Sequence, residues 1–309
     1  MLRSPLLAAA RSTRMRSLIE TVPATRSVVG RFVAGSATED AVRVVRELAD
    51  EGLRISLDHL GEDTTDGKQA ELTVQAYQAM LFALDAEGLA DGADVSVKLS
   101  AVGQSLSVDG EKIAFENARK ICVAAEVVGA TVTLDMEDHT TTDSTLRILR
   151  QLRVDFPWVG AVLQAYLRRT EQDCRELSGD RSRVRLCKGA YSEPESVAFQ
   201  EKSEVDKSYV RCLKILLEGK GYPMVASHDP RLIAIAERLI GDTRRVPGDH
   251  EFQMLYGIRP AEQRRIAGEC RTMRVYVPYG DEWYGYFMRR LAERPANLRF
   301  FLRGLVTKN

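Results

Sequence analysis

The chain has 309 residues, 44% hydrophobic and 28% charged, enough for one large α/β domain or two ordinary ones. Its 44 basic and 44 acidic side chains cancel, so the positive excess that a nucleic-acid binder normally carries is missing. Five cysteines, odd in number and without C-x-x-C spacing, argue against a disulfide framework or a structural zinc site, and no run of about 20 apolar residues is present to span a bilayer.

The first 19 residues carry Arg3, Arg11, Arg14 and Arg16 with no acid before Glu20. That composition suits a transit peptide, or an amphipathic helix from Leu6 to Ile19 that packs on the domain or touches lipid. No processing boundary precedes Pro23, which favours the helix. Thr38–Asp50 reads as a further helix, apolar at Ala41, Val44, Val45 and Leu48. Residues 1–50 are therefore expected to be a helical N-terminal arm, followed by a domain over 51–309.

From Leu53 onward one unit repeats: a short apolar run, a polar turn, then a segment of helical period. The predicted strands are Leu53–His59, Val95–Ser100, Val132–Met136, Val159–Tyr166, Val184–Tyr191, Met224–His228, Phe252–Gly257 and Met273–Pro278. The helical segments between them include Lys112–Val128, Asp143–Val154, Thr170–Leu177, Glu195–Leu217, Pro230–Ile240 and Ala261–Ala267. Asp229-Pro230 and Asp143-Ser144 supply start signals, and Gly129 and Gly241 stop signals. Eight strand-helix units match the count and length of a (β/α)8 barrel of the TIM type. A doubly wound nucleotide-binding sheet is disfavoured, because G-x-G-x-x-G is absent after the first strand, which ends Asp58-His59-Leu60-Gly61-Glu62.

The final helix, about 282–294, brings Tyr286, Arg289, Arg290 and Glu293 towards one face. Adjacent arginines stand about 100° apart on the helical wheel, so two guanidinium forks can close on a small carboxylate. The plainer reading is a solvated face with an Arg289/Glu293 pair. In such a barrel the site lies at the C-terminal ends of the strands. Those ends carry Asp58, Glu62, Lys98, Asp135, Glu137, Gln164, Tyr166, Arg185, Lys188, Tyr191, His228, Tyr256 and Tyr276. A lysine between Val97 and Leu99 is expensive unless it is paired or faces a ligand. A Lys98–Asp135 salt bridge closing the mouth would satisfy it without any function, and His228 alone reads as a core or loop histidine. The four histidines have no ligand-spaced partners and no G-x-S-x-G is present, so neither a catalytic metal nor a serine nucleophile is expected. The polar set suits an organic cofactor that carries the hard chemistry.

With Ser96-Val97-Lys98-Leu99-Ser100, Gln164-Ala165-Tyr166, Arg185-Leu186-Cys187-Lys188-Gly189-Ala190-Tyr191 and Tyr286…Arg289-Arg290…Glu293 in this order, the chain resembles the FAD-dependent proline dehydrogenases, in their short one-activity form. The resemblance implies that Arg289, Arg290 and Lys98 hold the substrate carboxylate. It implies that Tyr276 and Tyr286 pack over the pyrrolidine ring, and that Leu255, Ala190 and Tyr191 complete the pocket. Asp135 matches an acid bonded within this cluster, and Arg185 the arginine near the flavin N5 edge. Gln164, Lys188, Gly189, Ala190 and His228 match positions lining the flavin and its phosphates, and Glu293 the acid that orients the arginine helix. Glu62 matches a gating acid that pairs with one of the arginines when substrate is absent. Cys187 stands where the family pattern has valine.

The resemblance implies oxidation of L-proline to Δ1-pyrroline-5-carboxylate, with FAD reduced and a membrane quinone as acceptor. It also implies a bacterial cytoplasmic protein with a peripheral contact at the inner membrane, or a mitochondrial one. A separate pyrroline-5-carboxylate dehydrogenase would then consume the product. Two other functions fit the residues: a Schiff-base lyase or aldolase using Lys98, and a non-catalytic flavoprotein that senses an amino acid.

Overall fold

The computed structural model describes residues 28–293, with side chains through residue 288. The Leu6–Ile19 segment lies outside the described residues. The element order is α1 (Thr38–Asp50), β1 (Arg54–His59), α2 (Gly67–Ala86), β2 (Asp94–Val97), a 3-10 turn (Leu99–Val102), α3 (Gly110–Val128), β3 (Thr131–Leu134), α4 (Thr142–Asp155) and β4 (Gly160–Gln164). It continues with α5 (Thr170–Glu176), β5 (Arg183–Cys187), α6 (Lys202–Glu218), β6 (Tyr222–Ala226), α7 (Pro230–Asp242), β7 (Glu251–Leu255), α8 (Pro260–Gly268), β8 (Met273–Tyr279) and α9 (Trp283–Glu293).

The eight strands pair in parallel and in chain order, and β8 returns to β1 over six residue pairs from Arg54↔Arg274 to His59↔Tyr279. This is the TIM-type (β/α)8 barrel expected from the repeat. Alternation along each strand decides which residues face the helices. Ile55, Leu57, Val95, Val97, Val132, Leu134, Val184, Leu186, Phe252, Met254, Val275 and Val277 join one buried cluster with the inner faces of the surrounding helices. Ala41, Val44, Val45 and Leu48 of α1 belong to that same cluster.

The alternate positions point into the barrel and are unusually polar: Ser56, Asp58, Asp94, Ser96, Thr133, Arg185, Glu251, Gln253 and Arg274 are all buried. Barrel interiors are ordinarily filled by branched aliphatic side chains. Here a hydrogen-bonded ionic lattice replaces them.

Several boundaries differ from the sequence reading. The second strand stops at Val97 and turns at once into the 3-10 segment, so Lys98 follows the strand rather than lying inside it. The fifth stops at Cys187, and α6 begins at Lys202 rather than Glu195. Residues between them instead wrap the mouth: Arg168 N–H donates to Val197 O (2.9 Å) and Phe199 N–H to Tyr166 O (2.8 Å). Tyr166 and Leu167, just beyond the end of β4, are buried against Ala198 of this wrapping, which makes that end read as strand. The sixth strand starts two residues earlier than expected, at Tyr222. The 20-residue α2 was not among the named segments.

A second apolar cluster closes the mouth. Val28, Phe32 and Val33 pack with Leu60, Ile258, Tyr284, Tyr286, Phe287 and Met288, joining the segment before α1 to α9. Backbone bonds from Ala34 N–H to Pro278 O and from Gly280 N–H to Gly35 O, both 2.9 Å, tie the same two regions together.

Candidate active site

The strand ends converge on one ionic network. Lys98, just past β2, donates to both oxygens of the almost fully buried Asp58 of β1, at 2.9 and 2.8 Å. Its ammonium lies 3.5 Å from Asp135 Oδ2 and 3.4 Å from the Tyr276 hydroxyl. The expected Lys98–Asp135 contact is therefore present but secondary to Asp58. Tyr276 donates to Asp135 Oδ2 (2.8 Å), and Arg185 Nη1 donates to Asp135 Oδ1 (2.8 Å). The Arg185 guanidinium lies 5.4 Å from the centre of the Tyr276 ring, in cation–π range. Burial alone would lower the Lys98 pKa, but the charges of Asp58 and Asp135 outweigh it and hold the ammonium well above its ordinary value.

A second shared contact joins the loops after β1, β2 and β3. Ser100 donates through its backbone N–H (3.1 Å) and hydroxyl (2.5 Å) to Glu137, while the Glu137 carbonyl accepts from Gln164 Nε2 (2.8 Å). Ser100 also receives Asp63 N–H on its hydroxyl and Thr64 N–H on its carbonyl. The loop carrying Glu62 is thereby fastened to the mouth. Glu62 is half-buried, and its charge acts on Lys98, Glu137 and Tyr191. Tyr191 is itself half-buried, with its phenol pKa raised by burial and then by Glu62 and Glu137.

On the opposite side of the mouth, His228 Nε2 accepts Leu255 N–H at 2.9 Å, which fixes that ring nitrogen as the unprotonated one. Leu255 packs against the second apolar cluster. Lys188 donates to Asp206 (2.5 Å) and Asp229 (3.1 Å), and Asp229 caps α7 by accepting Arg231 N–H. Gly189 has φ +115°, and a Cβ there would stand 2.3 Å from the Tyr166 ring, so only glycine fits without displacement. Ala190 next to it is exposed. Cys187 hydrogen-bonds weakly to Leu163 O, and burial pushes its thiol up to about 12, as suits an inert packing residue.

Lys98, Asp135, Arg185 and Tyr276 are thus in direct contact. Gln164, Tyr191, His228 and Leu255 line the same end of the barrel, and Lys188 stands apart in its own ion-pair group. Helix α9 runs through Arg289, Arg290 and Glu293, but the side chains of those three lie outside the described residues. The sequence reading assigned no role to Asp58, Ser56, Ser96 or Asp94. The signal for them was the period-2 recurrence of polar residues within otherwise apolar strands. Among the described residues no group of three or more His, Cys, Asp or Glu could hold a metal ion, and no helix is long and apolar enough to cross a membrane.

A closed (β/α)8 barrel with buried Lys98, Arg185 and Asp58 and half-buried Tyr276 and Asp135 at its C-terminal mouth has the architecture of a barrel enzyme. Residues 41–303 match the family model described as proline dehydrogenase, and the chain belongs to that family of oxidoreductases. It is 40% identical over 284 residues to proline dehydrogenase 1 of Bacillus subtilis, covering 92% of each chain. It is also 40% identical over 278 residues to the proline dehydrogenase of Deinococcus radiodurans, covering 89% of each. The barrel superposes on proline utilization A from Bdellovibrio bacteriovorus, inactivated by N-propargylglycine, with a TM-score of 0.78 at 25% identity. That match covers 86% of this chain and 32% of the larger protein.

Proposed function

We propose that the enzyme oxidises L-proline to Δ1-pyrroline-5-carboxylate with FAD and passes the electrons to a membrane quinone. The supporting observation is the Arg185 guanidinium, buried at the mouth with no hydrogen-bond partner for its Nε–H among the described residues. An unsatisfied buried donor costs roughly 1–3 kcal/mol, and the ring nitrogens of an isoalloxazine are acceptors of the right kind. Gln164 and His228 stand across the same mouth with polar side chains, and Tyr166 packs closely on the Gly189 backbone. Lys188 would meet the cofactor phosphates only by exchanging part of its pairing with Asp206 and Asp229. Lys188, Gly189, Ala190 and Glu293 are the remaining residues assigned to holding the cofactor.

When bound, FAD supplies the acceptor for the hydride that leaves proline C5. The protein's part is position and charge. Lys98 stays an ammonium because two carboxylates hold it so. That charge is already matched within the network, so the substrate carboxylate draws its further cations from Arg289 and Arg290 of α9. Tyr276 and Tyr286 pack over the pyrrolidine ring, with Tyr191, Ala190 and Leu255 around it. Tyr276 stands where a 4-hydroxyl would have to fit, which disfavours hydroxyproline. Asp135 orients Arg185 and Tyr276 together. Glu62 pairs with one of the α9 arginines in the absence of substrate. Crowding by cations favours the neutral amine, so activity rises into the alkaline range.

The runner-up lyase reading needs Lys98 as a neutral amine, and a bidentate ion pair with Asp58 is the opposite environment. The proposed setting is the bacterial cytoplasm, with a peripheral contact to the inner membrane where the quinone resides. A separate pyrroline-5-carboxylate dehydrogenase consumes the product.

The test is the visible spectrum of purified protein before and after L-proline is added without oxygen. Yellow protein that bleaches supports oxidation. Colour that proline leaves unchanged indicates a sensor. Folded protein that stays colourless when offered FAD overturns the reading. Since the Bdellovibrio relative is inactivated by N-propargylglycine, the same compound should abolish turnover here with time, and L-proline should protect.

A further inference from the structure

Asp94 opens β2 below the mouth and is fully buried. Its Oδ2 accepts the Ser56 hydroxyl at 2.6 Å and lies 3.4 Å from Arg185 Nη2. Its Oδ1 accepts from Thr131 (2.7 Å) and Thr133 (3.0 Å) and faces Arg183 Nη2 at 3.6 Å. The two arginines alternate on β5, so one carboxylate is shared between a guanidinium above and a guanidinium below.

Arg185 has five N–H donors. Nη1 donates to Asp135 and to the Ser96 hydroxyl, both at 2.8 Å, and Nη2 to the Ser56 hydroxyl (3.1 Å) and Asp94. The serine hydroxyls are 2.9 Å apart. Because Ser56 gives its proton to Asp94, it must accept from Ser96, and Ser96 in turn accepts from Arg185. The relay has a single consistent direction, and Asp94 is its end. Four donors are then held by β1, β2 and the end of β3, and among the described residues Nε has no partner.

We infer that Asp94 is a positioning residue that fixes, from beneath the site, the orientation and effective charge of the Arg185 guanidinium. The inference rests on the flavin reading above and extends it: the cation that favours the reduced cofactor is tuned by a carboxylate that touches neither substrate nor cofactor.

The experiment compares Asp94→Asn, Ser56→Ala and the control Glu251→Gln. Glu251 is an equally buried carboxylate in the barrel, paired with Arg274 rather than Arg185. Asp94→Asn removes a negative charge near Arg185 and should move the flavin midpoint potential to more positive values, with KM for proline within about twofold of wild type. Ser56→Ala keeps the charge but cuts the relay, and should slow flavin reduction by proline about tenfold at unchanged KM. Glu251→Gln should lower the melting temperature and leave both potential and reduction rate alone. If Asp94→Asn shifts the potential no more than Glu251→Gln, or Ser56→Ala reduces its flavin at the wild-type rate, the inference falls. Should Asp94→Asn fail to fold, Ser56→Ala decides alone. Wild-type protein that takes up no flavin would instead sink the functional reading, and this inference with it.

Discussion

Lys98 and Asp58 illustrate what a single buried pair does at this mouth. Removing one partner leaves an uncompensated charge in low dielectric, at a cost of about 3–5 kcal/mol. Lys98→Met should therefore lose about that much stability in a denaturant titration, and adding Asp58→Asn should restore part of it. Glu137 gives a prediction of opposite electrostatic sense. Burial lifts its carboxyl from an ordinary 4.5 to about 7, against the Ser100 hydrogen bonds and the charge of Lys98. Between those values the folded protein holds a proton that the unfolded chain has released. This contribution to stability is fully present below pH 4.5 and is lost as pH rises through about 7, by at most roughly 1.4 kcal/mol per pH unit. Melting temperature measured over that window should fall more steeply for wild type than for Glu137→Gln. Equal slopes would show that Glu137 does not titrate there.

Among the elements, α9 depends on a segment far away in the chain. Phe32 and Phe287 sit with ring centroids 6.4 Å apart, at the centre of the cluster that seats this helix. Phe32→Ala should cost about 3–5 kcal/mol and also raise KM for proline, because the helix carrying Arg289 and Arg290 loses its support. Leu149→Ala, in the main core on α4, should cost about 2–5 kcal/mol and leave KM unchanged. Equal effects on KM would detach α9 from substrate binding. The strands were legible in the sequence because their helix-facing residues are apolar and many of them β-branched. Their ends were less legible, since Leu99 and Ala165 lie beyond the last strand residues yet are buried in the main core, as strand residues are. The site was legible where charge interrupts an apolar run, as at Lys98 and Arg185. At Asp94 and Ser56 it showed only as period-2 polar spacing, because both precede the mouth and contact it through side chains from other strands.

At the scale of the molecule, the described residues place four cations in the barrel interior and mouth, Lys98, Arg183, Arg185 and Arg274, against four anions, Asp58, Asp94, Asp135 and Glu251. At the base of this lattice Arg274 donates to both oxygens of Glu251, at 2.7 and 2.9 Å. Burial would raise the Glu251 carboxyl, but Arg274 outweighs it and takes the value down to about 2. A depressed carboxylate stabilises above its unfolded value and loses that contribution as pH falls through its folded one. Circular dichroism on acidification should thus show wild type weakening between about 4.5 and 2. Glu251→Gln should be weaker at neutral pH and flatter across that interval. The closure of β8 on β1, reinforced by the bonds from Ala34 to Pro278 and Gly280 to Gly35, also bears on biosynthesis. A ribosome releases β1 early, and that strand keeps an open, pairing-competent edge until β8 emerges. A nascent chain that lacks β8 cannot close the mouth, and its unpaired β1 edge stays open to misassociation until β8 joins it.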